Sequence, residues 1–165
     1  MESKLIIFRG NSGSGKSTIA EQLQQHFGDG TLLVSQDTVR RDMLKVRDRD
    51  GNLSIDLIRQ IAEYGKNRCA YVIVEGILMK KLYGNMLKNL IDFYDGKARV
   101  FYFDLSFDET VKRHRSRPKA ANFGEEMLRS WWLPNDFLHL DQESLLTADL
   151  GEEKVFETIL SRIHN

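Results

Sequence analysis

The run Gly10-Asn11-Ser12-Gly13-Ser14-Gly15-Lys16-Ser17-Thr18 constrains this chain more than any other feature. It satisfies the spacing G-x-x-x-x-G-K-[ST], the Walker A pattern. Each residue type has a physical reason. Glycines let the loop curl until successive backbone N–H groups point at one phosphate, and the helix behind adds its positive N-terminal end. A lysine at position 16 reaches the outer phosphate oxygens, and the Ser17 hydroxyl is a ligand for Mg²⁺. With glycine near 7% of residues, a random chain of this length shows the pattern well under roughly once in a hundred. The flanks agree. Lys4 to Phe8 (KLIIF) reads as a buried strand. Lys16 to Phe27 reads as a helix with Ile19, Leu23 and Phe27 on one face and Gly28 as its stop. The expected nucleotide-binding residues are therefore Gly10, Asn11, Ser12, Gly13, Ser14, Gly15, Lys16, Ser17 and Thr18, with ATP and Mg²⁺ as cofactors.

The remainder of the chain repeats the alternation of short β-branched runs with helical patterns, which signals βαβ units and a parallel sheet. Further strands are expected at Thr31 to Ser35, Tyr71 to Val74, Ala98 to Phe103 and Leu145 to Thr147. Helices are expected at Thr38 to Val46, Ser54 to Asn67, Lys80 to Tyr94, and about Glu152 to Ile163. Ser106 with Glu109 reads as a capping box opening another helix, which Pro118 ends. No repeat, low-complexity tract or linker divides the 165 residues, so residues 1–165 are expected to form one P-loop domain of three-layer α/β/α architecture.

Composition limits the function classes. Lys plus Arg equals Asp plus Glu at 24 each, whereas proteins that grip long nucleic acid carry a net basic surface. Long nucleic acid is therefore a disfavoured partner and a small molecule the favoured one. The single Cys69 leaves no internal disulfide and fits a reducing compartment. No stretch approaches the ~18 apolar residues of a membrane span, and no signal-peptide pattern is seen. The expectation is a cytoplasmic protein without membrane contact.

Ligands of open α/β sheets sit beyond the carboxyl ends of the strands. Asp37, Glu75 and Asp104 fall there. Asp37 reads either as a base near an acceptor hydroxyl or as a helix N-cap. Arg40 and Arg41 follow it by one turn and can hold a polar acceptor or simply be solvated. Asp104 is read as part of the turn into the next helix. Arg113 and Arg117 lie at i and i+4 on one helix face. Two guanidiniums there can neutralise charge on a transferring phosphoryl group. Trp131, Trp132, Phe137 and Phe123 can stack on a planar substrate or pack the segment against the body.

With no Asn-Lys-x-Asp segment for guanine and an Arg-rich stretch late in the chain, the sequence resembles the adenylate-kinase-like group of small P-loop kinases. That resemblance implies a five-stranded parallel sheet with the third strand beside the first. Val74-Glu75-Gly76 resembles the acidic strand of uridine kinases, implying that Glu75 joins Ser17 at the metal. An Asp at position 37 followed by helical arginines resembles polynucleotide kinases and antibiotic phosphotransferases, implying that Asp37 is the base. Residues Arg113 to Trp132 resemble the lid of phage-type polynucleotide kinases, implying a lid over about 113–133. The implied activity is a kinase, a phosphotransferase that moves the γ-phosphate of ATP to an alcohol group of a nucleoside-like or other small acceptor. The catalytic set is then Lys16, Asp37, Arg113 and Arg117. The alternatives are a polynucleotide 5′-hydroxyl kinase and, in another class, a nucleotide-binding regulator or slow ATPase.

Overall fold

The computed structural model describes residues 1–116 and 124–165. Five strands form one sheet: β1 Lys4–Gly10, β2 Leu32–Ser35, β3 Tyr71–Gly76, β4 Ala98–Asp104 and β5 Glu143–Thr147. Their order is β2-β3-β1-β4-β5 and every neighbouring pair is parallel. The third strand does lie beside the first. Among the described residues six α-helices surround the sheet: α1 Lys16–Phe27, α2 Leu53–Gly65, α3 Lys80–Phe93, α4 Phe107–Arg115, α5 Glu125–Trp131 and α6 Glu152–His164.

The layering follows from the two-residue period of β1. Leu5 and Ile7 point to one face, where they pack with Val72 and Val74 of β3, Ile58 and Ala62 of α2, and Leu87 and Leu90 of α3. Ile6 and Phe8 point to the other face, among Phe101 of β4, Ile19 and Leu23 of α1, and Ile159 and Ile163 of α6. A strand apolar on both faces is what a central parallel strand requires. Burying each of the fully enclosed Val, Leu, Ile and Phe side chains among these contributes about 1.5–3 kcal/mol to the fold. Among the described residues no helix is long and apolar enough to cross a membrane.

Three local expectations change. The helix expected over Thr38 to Val46 is present but shorter, and Thr38–Leu44 is wound as a π-helix, with the Lys45 N–H reaching back to the Arg40 carbonyl. Its wider turn lets Val39 enter the core while Thr38, Arg41 and Asp42 border a cleft. The capping box of α4 is one-sided. Ser106 Oγ accepts the Glu109 N–H at 3.1 Å, but the Glu109 carboxylate turns to Arg113 instead of returning to the cap. Finally, β1 and β3 run on through Gly10 and Gly76, so the phosphate loop and Glu75 start from within the sheet.

Candidate active site

Gly15 begins α1 in a left-handed conformation, φ 102°, and no side chain caps the helix. The first amides of α1 are thus left for an external acceptor, which the helix dipole makes preferentially anionic. The Asn52 and Ser106 side chains cap α2 and α4, while α3, α5 and α6, like α1, have no side-chain cap; α1 differs from those three in starting from the glycine-rich loop. Lys16 is buried and donates Nζ to the Asn11 carbonyl at 2.7 Å and to Ser14 Oγ at 3.2 Å, so its ammonium lies over the loop. Gly13, φ 80°, faces α4: a Cβ there would stand 3.2 Å from Thr110 Cγ2. Arg113 of the same helix donates Nη1 to the Ser14 carbonyl at 3.2 Å and Nε to Glu109 at 3.0 Å. One of the two predicted arginines therefore touches the phosphate loop. Arg117, its predicted partner, lies outside the described residues.

The Asn11 side chain faces away from the loop interior. Its amide donates to the Leu133 carbonyl at 2.7 Å and accepts the Leu133 N–H at 2.8 Å. This two-way clamp ties the loop to the backbone that follows α5.

At the end of β3, Glu75 accepts the Ser17 hydroxyl proton at 3.1 Å. The hydroxyl and carboxylate together suit Mg²⁺, which commonly takes one or two protein oxygens and completes its shell with phosphate and water. Among the described residues no cluster of three or more His, Cys, Asp or Glu could hold a metal unaided. Ser17 and Glu75 open into a cleft of about 470 Å³ whose lining includes Ser35, Asp37, Thr38, Arg41 and Asp42. Asp37 occupies the cap position of the π-helix, but its side chain accepts no capping N–H. It is 57% exposed and stands 3.7 Å from Arg40 and 3.6 Å from Arg41. The cap alternative is not what this geometry realises.

Gln36 and Gly76 hold the ends of β2 and β3 together. The Gln36 side chain crosses Gly76, accepts the Leu78 N–H at 2.9 Å and donates to Asp48 at 3.2 Å. A Cβ on Gly76, φ 155°, would stand 2.5 Å from Gln36 Cβ and would also meet Gln36 Oε1. Asp48 in turn accepts the Tyr83 hydroxyl at 2.6 Å. Burial, reinforced by the Asp48 bond, pushes the Tyr83 phenol above its ordinary value.

The described parts of the lid-like segment pack on the body. Phe107 meets Trp132 edge to face at 5.4 Å and lies under the Arg129 guanidinium at 4.2 Å. Phe137 meets Tyr102 at 4.9 Å. These contacts follow the packing alternative for Trp132 and Phe137; Phe123 lies outside the described residues. Trp131 is exposed on α5.

Arg9 was missed in the sequence. It is fully buried beside Gly10 and donates Nε and Nη2 to the Leu78 carbonyl, Nη1 to the Asp136 carbonyl at 2.7 Å and Nη2 to Asp136 Oδ2 at 2.9 Å. Glu143 stands 3.4 Å away. Burial pulls the guanidinium below its ordinary value, and the two carboxylates oppose this. The one sequence signal was a charged residue closing an otherwise apolar strand.

The backbone is similar to those of several kinases. A gluconokinase from Sinorhizobium meliloti 1021 matches with a TM-score of 0.71 at 14% identity, covering 99% of this chain and 93% of that one. The APS kinase CysC of Mycobacterium tuberculosis, in complex with AMPPNP and APS, matches with a TM-score of 0.69 at 15% identity over 99% of each chain. A shikimate kinase from Bacteroides thetaiotaomicron matches with a TM-score of 0.58 at 16% identity, covering 98% and 96%. At such identities the likeness is one of fold. No curated protein sequence matches significantly. The family model described as an AAA domain, AAA_33, matches residues 5–131. Taken with the phosphate loop, the 2-3-1-4-5 sheet and these kinase neighbours, that match makes the chain a member of the AAA_33 family of P-loop proteins.

Proposed function

We propose that this protein is a kinase that uses Mg·ATP to phosphorylate a hydroxyl of a small-molecule acceptor. The observation carrying the proposal is the shared cleft. Ser17 and Glu75 stand in contact at its phosphate-loop end, and the Asp37 carboxylate borders the same space. The neighbours named gluconokinase, APS kinase and shikimate kinase support the reading.

In this mechanism the chain positions groups and balances charge, because the loose transition state of phosphoryl transfer asks for little covalent chemistry. The uncapped amides of α1 and the glycine-rich loop hold the phosphates. Lys16 turns from its own loop to the outer phosphate oxygens. Ser17 and Glu75 would hold Mg²⁺, which when bound would offset charge on the transferring group. Arg113 brings a second cation to the loop. Asp37 orients the acceptor hydroxyl and takes its proton. Asn11 ties the loop to Leu133, at the end of the segment expected to form a lid, of which residues 117–123 lie outside the described residues.

Lys16→Ala should abolish transfer while the thermal midpoint stays near that of the parent. Asp37→Asn should bind ATP normally in equilibrium titration but transfer ~10²-fold or more slowly in single turnover, the usual cost of losing a proton acceptor. Turnover retained in Lys16→Ala refutes the kinase reading. Transfer retained in Asp37→Asn removes only the role given to Asp37.

A further inference from the structure

The acceptor end of the cleft carries an imbalance of charge. Glu21 and Gln24 of α1, one and two turns beyond Ser17, form one wall, and Asp37, Thr38, Arg41 and Asp42 form another. Four carboxylates therefore line the cleft (Glu21, Asp37, Asp42 and Glu75) against one guanidinium. Glu75 is engaged with Ser17, and Asp37 stands beside Arg40 and Arg41. Glu21 and Asp42 have no ion pair among the described residues. Arg41, the one cation lining the cleft among the described residues, already faces Asp37. The neutral remainder, Gln24, Ser35 and Thr38, offers hydrogen bonds to hydroxyl or amino groups.

From this we infer that the acceptor is a small hydroxyl compound that carries no carboxylate or phosphate, and that an ammonium group on it strengthens binding. The inference rests on the kinase reading and adds the charge class of its second substrate. An anionic acceptor would enter beside the unpaired Glu21 and Asp42 carboxylates while the γ-phosphate already occupies the neighbouring loop. Like charges in one cleft disfavour binding, and opposite charges favour it. The volume of about 470 Å³ suits a one- or two-ring compound. A polynucleotide 5′ end brings several phosphates and falls in the disfavoured class.

The test measures acceptor-dependent ADP release from Mg·ATP with three pooled probe sets. These are amino sugars and amino alcohols; neutral sugars, polyols and nucleosides; and hydroxy acids, sugar acids, mononucleotides and a 5′-hydroxyl oligonucleotide. The expected order of kcat/KM is cationic, then neutral, then anionic. For a cationic probe, added salt should lower kcat/KM as it screens the cleft. The variant Glu21→Gln/Asp42→Asn should lower kcat/KM for the best cationic probe by up to about fivefold per charge removed, the upper end for exposed pairs such as these. It should also raise the anionic-to-neutral ratio. Highest turnover with the anionic set, or selectivity unchanged in the double variant, overturns this inference while leaving the kinase reading intact. No stimulation by any set, with ATP still bound, refutes both.

Discussion

Replacing Arg9 with methionine tests the least visible part of the design. The substitution keeps much of the aliphatic stem and removes the one cation that, among the described residues, pairs with Asp136 and Glu143, whose side chains are 15% and 5% exposed. Removing one partner of a buried ion pair commonly costs 3–5 kcal/mol, because the remaining charge is left unpaired in a poor solvent. Here the cost belongs at the low end. Asp136 keeps the Lys80 N–H at 2.8 Å, and Glu143 keeps the Leu138 and His139 N–H groups at 3.1 and 2.9 Å. The Leu78 and Asp136 carbonyls lose donors as well, so about 3 kcal/mol is expected. In a chain of this length that corresponds to roughly 6–12 °C in the thermal midpoint. The assay is urea unfolding at constant m-value, backed by calorimetry. Adding Asp136→Asn and Glu143→Gln to Arg9→Met should recover part of the loss. A loss below about 1 kcal/mol refutes the reasoning.

Gly76→Ala should cost about 2–4 kcal/mol, combining a strained φ with displacement of Gln36 from the buried Leu78 N–H. Transfer should fall more than ATP affinity, and a variant as stable and active as the parent refutes the crossing described for Gln36. Tyr94, whose hydroxyl donates to the Ala62 carbonyl at 2.6 Å, has its phenol raised well above 10.0 by burial. A raised folded value means stability that is complete below about pH 10 and declines above it. Tyr94→Phe should lose about 1 kcal/mol at pH 8, yet show a shallower decline between pH 9 and 11 by denaturant midpoint.

The phosphate loop was legible because backbone amides closing on an anion leave the sequence almost no choice of residue type. The sheet was legible because parallel central strands are apolar on both faces, as in KLIIF and YVIV. The π-helix was not legible, since seven residues cannot separate a period of 3.6 from a slightly longer one. The capping box failed on competition: Glu109 had a guanidinium one turn ahead, and a charged partner outweighed the cap amide. Arg9 was hidden for another reason. Its partner Asp136 lies 127 residues away, and only the folded chain brings the two together.

Ser35 and Glu75 are register partners on adjacent parallel strands, and Gln36 bridges the residues that follow them. The spacing between the metal end and the acceptor end of the cleft is therefore inherited from a hydrogen-bonded ladder, where a one-residue slip would shift it by ~3.3 Å and turn every side chain over. Glu21, Gln24, Thr38 and Asp42 instead project from helices outside that ladder. The architecture thereby separates two kinds of heritable change. Substitutions on the helical walls can exchange one acceptor for another in single steps, while the sheet ends preserve the chemistry through the exchange. A laboratory library restricted to those wall positions would explore new acceptors without rebuilding the reaction centre.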